Sequence, residues 1–207
     1  MWRNRKIPYA TLVILFLNVA CYLAEAIMGE EKASLTFAMY AHALSVSPVA
    51  WYRVLASSFM HFGFLHLICN MLALLSIGVE MEEIIGWKRY LIIYAAAILG
   101  DGLMVNFAGG EGLHMGASGA LWGLMAALLI VVLRLHGNPN AILRCLVLNL
   151  AVTFGFSGIS WQGHIGGGIA GLIAALIMLA VRPRRRMPVQ AVRPPLPAES
   201  DDSDMEP

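Results

Sequence analysis

The stretch "GLHMGASGALWGLM", residues 112–125, places a serine between small residues at the point where a long apolar run begins. Serine is a preferred helix N-cap, so the simplest interpretation of Ser118 is a hydroxyl that binds an unpaired backbone N–H at a helix start. A chemical role for Ser118 requires a second reactive group that faces it. The rest of the chain has to supply that group.

The composition of the chain indicates a membrane protein. Of its 207 residues 59% are hydrophobic and only 13% are charged, and the mean hydropathy is +0.71. This chain is too apolar for an ordinary soluble domain. The formal net charge is +1, and no charge pattern indicates a nucleic-acid partner. Cys21, Cys69 and Cys145 stand singly in apolar segments, and we interpret all three as small core hydrophobes.

Six apolar segments, each long enough to cross a bilayer as a helix, predict the fold. They cover roughly 9–28, 63–82, 88–107, 117–134, 142–160 and 163–181. We therefore expect an all-α polytopic membrane protein built as a six-helix transmembrane bundle. The membrane domain would cover residues 1–187. Residues 188–207 are rich in Pro and charge, which predicts a disordered cytoplasmic tail.

The distribution of Lys and Arg predicts the orientation in the membrane. Basic residues stand before the first segment, around the fourth connection and after the sixth segment, at Arg3, Arg5, Lys6, Arg134, Arg144, Arg182, Arg184, Arg185 and Arg186. The positive-inside rule then predicts that both termini are cytoplasmic. We expect the membrane to be the inner (plasma) membrane of a bacterium. The basic start and the "AEA" of residues 24–26 also fit a secretory signal peptide, and this alternative for the first segment stays open.

The connection between the first two apolar segments has no apolar run long enough to cross a bilayer. It is also not polar enough to be a free loop. We expect it to lie in the membrane interface, with Trp51, Tyr52 and Arg53 as amphipathic anchors at headgroup depth.

Polar side chains interrupt three of the apolar segments, where they are costly and often functional. His66 and Asn70 are four residues apart, so they share a face near the outer end of the second helix. Ser118 opens the fourth segment and His164 opens the sixth. The predicted topology places all of these groups at one depth on the extracytoplasmic side, where they can meet.

Glycine spacing predicts that the fourth and sixth helices pack closely. The fourth segment carries a G-x-x-x-G, and glycines recur every four residues on the sixth, a pattern that allows close backbone contact. These glycines are Gly119 and Gly123, and Gly163, Gly167 and Gly171. At 100° per residue His164 shares a face with Gly167, Gly168 and Gly171. His164 is therefore expected to reach Ser118, as a general base that activates a serine nucleophile.

Acyl transfer also needs donors for a developing oxyanion. The backbone N–H of Ser118 at a helix N-terminus and the side chains of His66 and Asn70 are the candidates. Trp122, one turn after Ser118, either packs against the imidazole or is an ordinary core aromatic. We interpret Asp101, the carboxylate in the outer half of the third segment, as structural or interfacial.

These motifs resemble those of the rhomboid intramembrane serine proteases, and the resemblance covers residues 7–181. "GASG" matches the nucleophile motif and implies Ser118 as nucleophile, while "GHIGG" followed by Gly171 implies His164 as base. The pattern of His61, His66 and Asn70 matches the second-span motif and implies oxyanion roles for His66 and Asn70.

The chain departs from the family pattern at two places. Tyr52 and Arg53 stand where the family usually has Trp-Arg, and Trp122 stands where a smaller aromatic is usual. The resemblance implies hydrolysis of peptide bonds in or near the transmembrane helices of membrane-protein substrates. It implies a Ser-His dyad that needs neither a metal nor a cofactor.

Other classes of membrane protein fit less well. A zinc intramembrane protease would need H-E-x-x-H or an equivalent, and an aspartyl protease would need two aspartates within spans. The sequence supplies neither pattern. A rhomboid-like protein that binds membrane clients without cutting them stays open as an alternative, and so does a small transporter with polar residues along a substrate path.

Overall fold

The computed structural model describes residues 7–155 and 160–180, and this part of the chain is helical with no β-strand. The predicted all-α membrane fold is confirmed. The helices are α1 (Tyr9–Met28), α2 (Glu30–Phe37), α3 (Ala43–Val46), α4 (Trp51–Ala56), α5 (Gly63–Ala73), α6 (Val79–Ile85), α7 (Trp87–Ala108), α8 (Ser118–Arg134), α9 (Asn140–Gly155) and α10 (Trp161–Ala180). A π-helical turn, Leu74–Gly78, joins α5 to α6 in one continuous helix.

Six apolar helices correspond to the six predicted segments, and their lengths differ. By length and composition α1, the continuous helix Gly63–Ile85, α7 and α10 can cross a membrane. The other two are shorter: α8 has 17 residues, and α9 is described over the 16 residues Asn140–Gly155. The predicted tail, residues 188–207, and the end of the predicted membrane domain at 187 lie outside the described residues.

The connection between α1 and α5 is folded rather than free. It contains the short helices α2, α3 and α4, and Arg53 ties α4 to α2. The Arg53 guanidinium donates to the carbonyl oxygens of Ala38 at 2.7 Å and Leu35 at 2.9 Å. The Tyr52 hydroxyl donates to the carbonyl of Thr36 at 2.6 Å. The Tyr52–Arg53 pair therefore fastens this connection through backbone carbonyls.

A buried carboxylate from α6 caps the start of α1. The first N–H groups of a helix have no acceptor within the helix, and no side chain of α1 itself caps them. Glu82 accepts the backbone N–H groups of Ala10 at 3.0 Å and Thr11 at 2.8 Å, as well as the Thr11 hydroxyl at 2.8 Å. A negative charge is favourable at this end of the helix dipole. This contact joins α1 to the rest of the bundle.

The cysteines are free, and they do not share one environment. Cys21 and Cys145 are half-buried, whereas Cys69 is exposed on the outer face of α5. The prediction that all three are core residues was therefore wrong for Cys69. Periodicity along an all-apolar helix does not separate a lipid-facing position from a packed one, because both tolerate a small apolar side chain.

Helix α10 lies in the groove between α7 and α8, and glycines make this packing possible. A Cβ atom added to Gly167 would overlap the carbonyl oxygen of Gly119. One added to Gly171 would overlap the backbone of Gly123. These two pairs form the glycine seam between α8 and α10. Backbones in such contact gain van der Waals packing that lipid cannot supply.

The other glycines of α10 do not belong to this seam. A Cβ atom on Gly163 would overlap the carboxylate of Asp101 on α7, so Gly163 faces the third apolar helix. A Cβ atom on Gly168 would meet open space. The expectation that Gly168 shares the packed face was therefore wrong, because it rested on an idealised angle with no account of where the partner helix lies.

Bulk at the glycine seam is expected to separate α8 from α10. We expect Gly167→Val and Gly171→Val to lower both the thermal stability in detergent and any activity that depends on Ser118 and His164. A displacement of the reacting groups by about 1 Å can lower the rate about a hundredfold. Leu176→Val is the matched control, because Leu176 is 48% exposed on α10. Equal effects of all three changes, or no effect of the glycine changes, would contradict the seam.

Candidate active site

Ser118 is the first residue of α8, and its hydroxyl does not cap that helix. The cap position is Ala117, and no side chain there bonds the helix end. The capping interpretation of Ser118 was therefore wrong. The Ser118 Oγ lies 2.8 Å from Nε2 of His164 on α10. Serine and histidine come together because the glycine seam starts one residue after Ser118 and three residues after His164.

Local structure at the start of α10 fixes the position of His164. Ser160 precedes the helix, its hydroxyl accepts the N–H of Gly163 at 3.2 Å, and its carbonyl accepts the N–H of His164 at 3.1 Å. A serine at this position is a typical N-cap. His164 itself is only 8% exposed. The imidazole therefore sits in the first turns of a capped helix, in a largely dry environment.

Two side chains hold the imidazole of His164. The indole of Trp122, one turn below Ser118 on α8, stacks on the ring with centroids 5.6 Å apart and planes 22° apart. The predicted packing of Trp122 on the imidazole is confirmed. On the far edge of the ring, Nδ1 lies 2.9 Å from the hydroxyl of Thr153 on α9. Sequence reasoning missed Thr153, because nothing in a single threonine of an apolar helix says which neighbour it faces.

The loop before Ser118 runs against His66 and Asn70. Gly116 has φ = +132°, a conformation that favours glycine, and its N–H donates to the carbonyl of Ser57 at 2.9 Å. A Cβ atom on Gly116 would lie 2.6 Å from Cε1 of His66 and 3.6 Å from Nδ2 of Asn70. The structure thus brings both second-span candidates beside the loop that leads into Ser118.

The Asn70 amide is a buried donor without a partner. Its Nδ2 finds no hydrogen-bond acceptor among the described residues, although Asn70 is only 6% exposed. A buried polar group that lacks a partner is costly and calls for an explanation. A ligand oxygen that arrives beside Gly116 would satisfy it.

Two histidines near the site lie outside the spanning helices, and burial keeps both neutral. Burial, with neighbouring His66 as a smaller cause, lowers the pKa of His61 to about 4. Burial also lowers the pKa of His114. His61 contacts His66 edge-on, with ring centroids 5.2 Å apart. In this position His61 packs against the oxyanion candidate without adding a charge beside it.

A small polar cavity of about 20 Å³ opens beside Ser118 and His164. Its lining is Met39, Ser57, Asp101, His114, Met115, Gly116, Ser118, Ser160 and His164. The volume is enough for about one water molecule. Asp101 contributes to the lining and forms no hydrogen bond with His164, whose two ring nitrogens face Ser118 and Thr153. Within residues 7–155 and 160–180 no three His, Cys, Asp or Glu side chains are grouped to hold a metal ion.

Comparison with known proteins identifies the family. The model of the Rhomboid domain matches residues 48–181, more than half of the chain. The chain therefore belongs to the rhomboid family, and the predicted family is confirmed.

Named relatives agree with this assignment. The chain is 35% identical to Rhomboid-type serine protease 2 of Emericella nidulans, over 76% of this chain and 34% of that protein. It is 33% identical to Rhomboid protease GluP of Bacillus subtilis, over 84% of this chain and 36% of that protein. It is also 34% identical to RHOMBOID-like protein 5 of Arabidopsis thaliana, over 64% and 45% of the two chains. The chain thus spans about a third of the first two relatives and under half of the third.

Loss of the stacked indole is expected to loosen the imidazole. An aromatic pair is worth about 0.5–1.5 kcal/mol beyond its buried area, so Trp122→Ala should lower kcat by about three- to tenfold through this contact alone. Trp122→Tyr keeps a ring in place and should restore most of the rate. Trp87→Ala, a change at the first residue of α7, is the control. We would measure kcat well below the unfolding temperature of each variant. A Trp122→Tyr variant as impaired as Trp122→Ala would contradict a stacking role.

Proposed function

We propose that the protein is an intramembrane serine endopeptidase that hydrolyses peptide bonds in or near the transmembrane helices of membrane-protein substrates. The observation that carries the proposal is the 2.8 Å contact between the Ser118 hydroxyl and Nε2 of His164. A serine hydroxyl this close to a neutral imidazole can be deprotonated as it attacks. The names of the relatives as proteases support the same reaction class.

Acylation follows from this geometry. As Ser118 Oγ forms a bond to the carbonyl carbon of the scissile peptide, its proton passes to Nε2 of His164. The tetrahedral intermediate then collapses, and the C–N bond breaks as the imidazolium gives that proton to the leaving amine. The products of this half-reaction are an acyl ester on Ser118 and a free amine. The imidazole is neutral again.

Deacylation repeats the sequence with water. A water molecule attacks the ester carbon while Nε2 of His164 takes one of its protons. The ester C–O bond breaks as that proton returns to Ser118 Oγ, which releases a carboxylic acid. The small cavity beside Ser118 and His164 has room for about one such water. The cycle is balanced with these two side chains and one water, and it needs no cofactor or metal.

The oxyanion of each tetrahedral intermediate needs donors, and we assign three. The backbone N–H of Ser118 belongs to the first turn of α8, whose N–H groups have no intrahelical acceptor and whose dipole favours negative charge. Asn70 Nδ2 and the His66 imidazole border the adjoining loop at Gly116. The unpartnered state of Asn70 Nδ2 among the described residues supports this role.

The same proposal includes location and orientation. The clusters of Lys and Arg favour cytoplasmic termini, with Ser118 and His164 in the extracytoplasmic half, and we place the protein in a bacterial plasma membrane. The bonds of Glu82 to the start of α1 support a retained first span, because cleavage of a signal peptide there would leave this buried carboxylate unpaired. Cysteine accessibility from either side of inverted vesicles would test the orientation, and intact mass would test retention.

The alternative function is a proteolytically inactive rhomboid-like protein that binds membrane clients. Both proposals predict binding of a transmembrane helix, and only the protease predicts turnover. A fluorophosphonate probe separates them, because it forms a covalent bond only with an activated serine. Labelling of the wild-type protein that disappears in Ser118→Ala supports the protease. Absence of both labelling and cleavage in the wild type would favour the inactive alternative.

Removal of either member of the Ser-His pair is expected to abolish cleavage. Ser118→Ala and His164→Ala should each lower the turnover of a helical transmembrane reporter by about a thousandfold or more, and the double variant should be no worse than either single one. Ser76→Ala and His136→Asn are controls, since both residues are exposed away from the site. Substantial turnover by Ser118→Ala would refute the dyad.

Loss of the Asn70 amide is expected to affect the transition state more than the bound substrate. Asn70→Ala should lower kcat by about 100- to 1,000-fold and leave KM little changed, as for other oxyanion donors. Asn149→Ala is the matched control, because that amide bonds the Cys145 carbonyl within its own helix at 2.9 Å. Full turnover by Asn70→Ala would return Asn70 to a structural role.

A further inference from the structure

The imidazole of His164 has a second partner that the Ser-His pair leaves unexplained. Thr153 on α9 places its hydroxyl 2.9 Å from Nδ1, and the contact is buried, with Thr153 5% and His164 8% exposed. Hydrogen bonds in such a dry environment are strong, and an unpaired N–H there is costly. The Nδ1–Thr153 contact therefore affects the state of the base.

The chemistry of the base fixes the direction of this bond. A neutral imidazole carries one N–H, and His164 accepts the Ser118 proton only when its Nε2 is unprotonated. The ring proton must then sit on Nδ1, where it needs an acceptor. Among the described residues, the Thr153 hydroxyl oxygen lies within reach of Nδ1 as that acceptor. With the opposite tautomer, Nε2–H would point at Ser118 and the hydroxyl could not be activated.

We propose that Thr153 is a positioning residue that holds His164 in the catalytically competent tautomer and ring orientation. This inference rests on the proposed function. Together with Ser118 it makes the site a Ser-His-Thr arrangement, in which a neutral hydroxyl fills the orienting position that an aspartate fills in a Ser-His-Asp triad.

Apart from the Ser118 contact at Nε2, the other contacts of the ring do not select its orientation. Stacking on Trp122 fixes the plane of the imidazole, but a rotation of 180° about χ2 keeps that plane while it exchanges Nδ1 and Nε2 for carbon atoms. The hydrogen bond to Thr153 distinguishes the two orientations, because only one puts a nitrogen at the hydroxyl. Asp101, the carboxylate of the nearby cavity, bonds neither ring nitrogen.

Thr153 also acts after proton transfer. Once His164 has taken the Ser118 proton, both ring nitrogens carry protons and Nδ1–H still donates to the Thr153 oxygen. Hydrogen bonds from a charged donor are about twice as strong as neutral ones. Thr153 therefore stabilises the imidazolium more than the imidazole, which lowers the barrier to acylation rather than improving substrate binding.

The first test is kinetic. Thr153→Val keeps the branched shape and removes the hydroxyl, and kcat should fall about 10- to 100-fold with KM little changed, by analogy with the partners that orient metal-bound histidines. Thr153→Ser keeps the hydroxyl and should retain most of the rate. Leu148→Val, 65% exposed on the same helix, is the control. A Thr153→Val variant that matches wild-type kcat, or a Thr153→Ser variant as slow as Thr153→Val, would overturn the inference.

The second test reads the tautomer and does not depend on activity. In full-length protein with ¹⁵N-labelled histidine, the His164 signals, assigned by their loss in His164→Ala, should show a proton on Nδ1 at neutral pH. Thr153→Val should shift this population toward Nε2–H. A wild-type proton on Nε2, or an unchanged tautomer in Thr153→Val, would overturn the inference even if that variant proved unstable.

The two tests also separate this inference from the proposed function. If wild-type protein neither cleaves the reporter nor reacts with the fluorophosphonate, the proposed function fails, while the NMR measurement still decides whether Thr153 sets the tautomer. If wild type cleaves and Thr153→Val does so equally well, the protease stands and the role of Thr153 fails.

Discussion

The contact of backbone on backbone between α8 and α10 is the constraint on which the site depends. Inside a bilayer, apolar side chains gain little by leaving lipid, so helices associate through close packing and polar contacts. Gly167 against Gly119 and Gly171 against Gly123 permit an approach that any side chain would prevent. Ser118 and His164 stand at one end of this seam. Their 2.8 Å separation is a consequence of how closely the two backbones meet.

Polar groups in the apolar bundle are costly, and most of them do structural work elsewhere. Glu82 caps α1, and the Asn106 side chain on α7 accepts the N–H of Leu44 at 2.9 Å. Around Ser118, the loop is pinned by a pair of backbone bonds between Met39 and His114. The segment between α1 and α5 is thereby tied to the loop that presents the serine. The rigid surroundings of Ser118 are built from bonds that take no part in the chemistry.

Family membership and local geometry answer different questions about this protein. The Rhomboid domain match, over residues 48–181, gives the family and its helical membrane fold. The chain covers only about a third of its first two relatives, so their activities bear on this protein as proposals. The hydrogen bonds on both ring nitrogens of His164 make the proposal specific, because they define which nitrogen takes the serine proton and which holds the ring.

The sequence by itself determined the membrane class, the six apolar helices and the candidates Ser118 and His164. Those features depend on local composition, on helical periodicity and on glycine spacing, all of which are written along the chain. The tertiary structure decided which side of each helix is packed. It turned Cys69 outward, left open space beside Gly168, and paired the Ser118 hydroxyl with His164 instead of with the helix backbone. It also brought Thr153 to His164. A partner on a neighbouring helix depends on the rotation of two helices about their axes, and no pattern within one uniformly apolar helix fixes that angle.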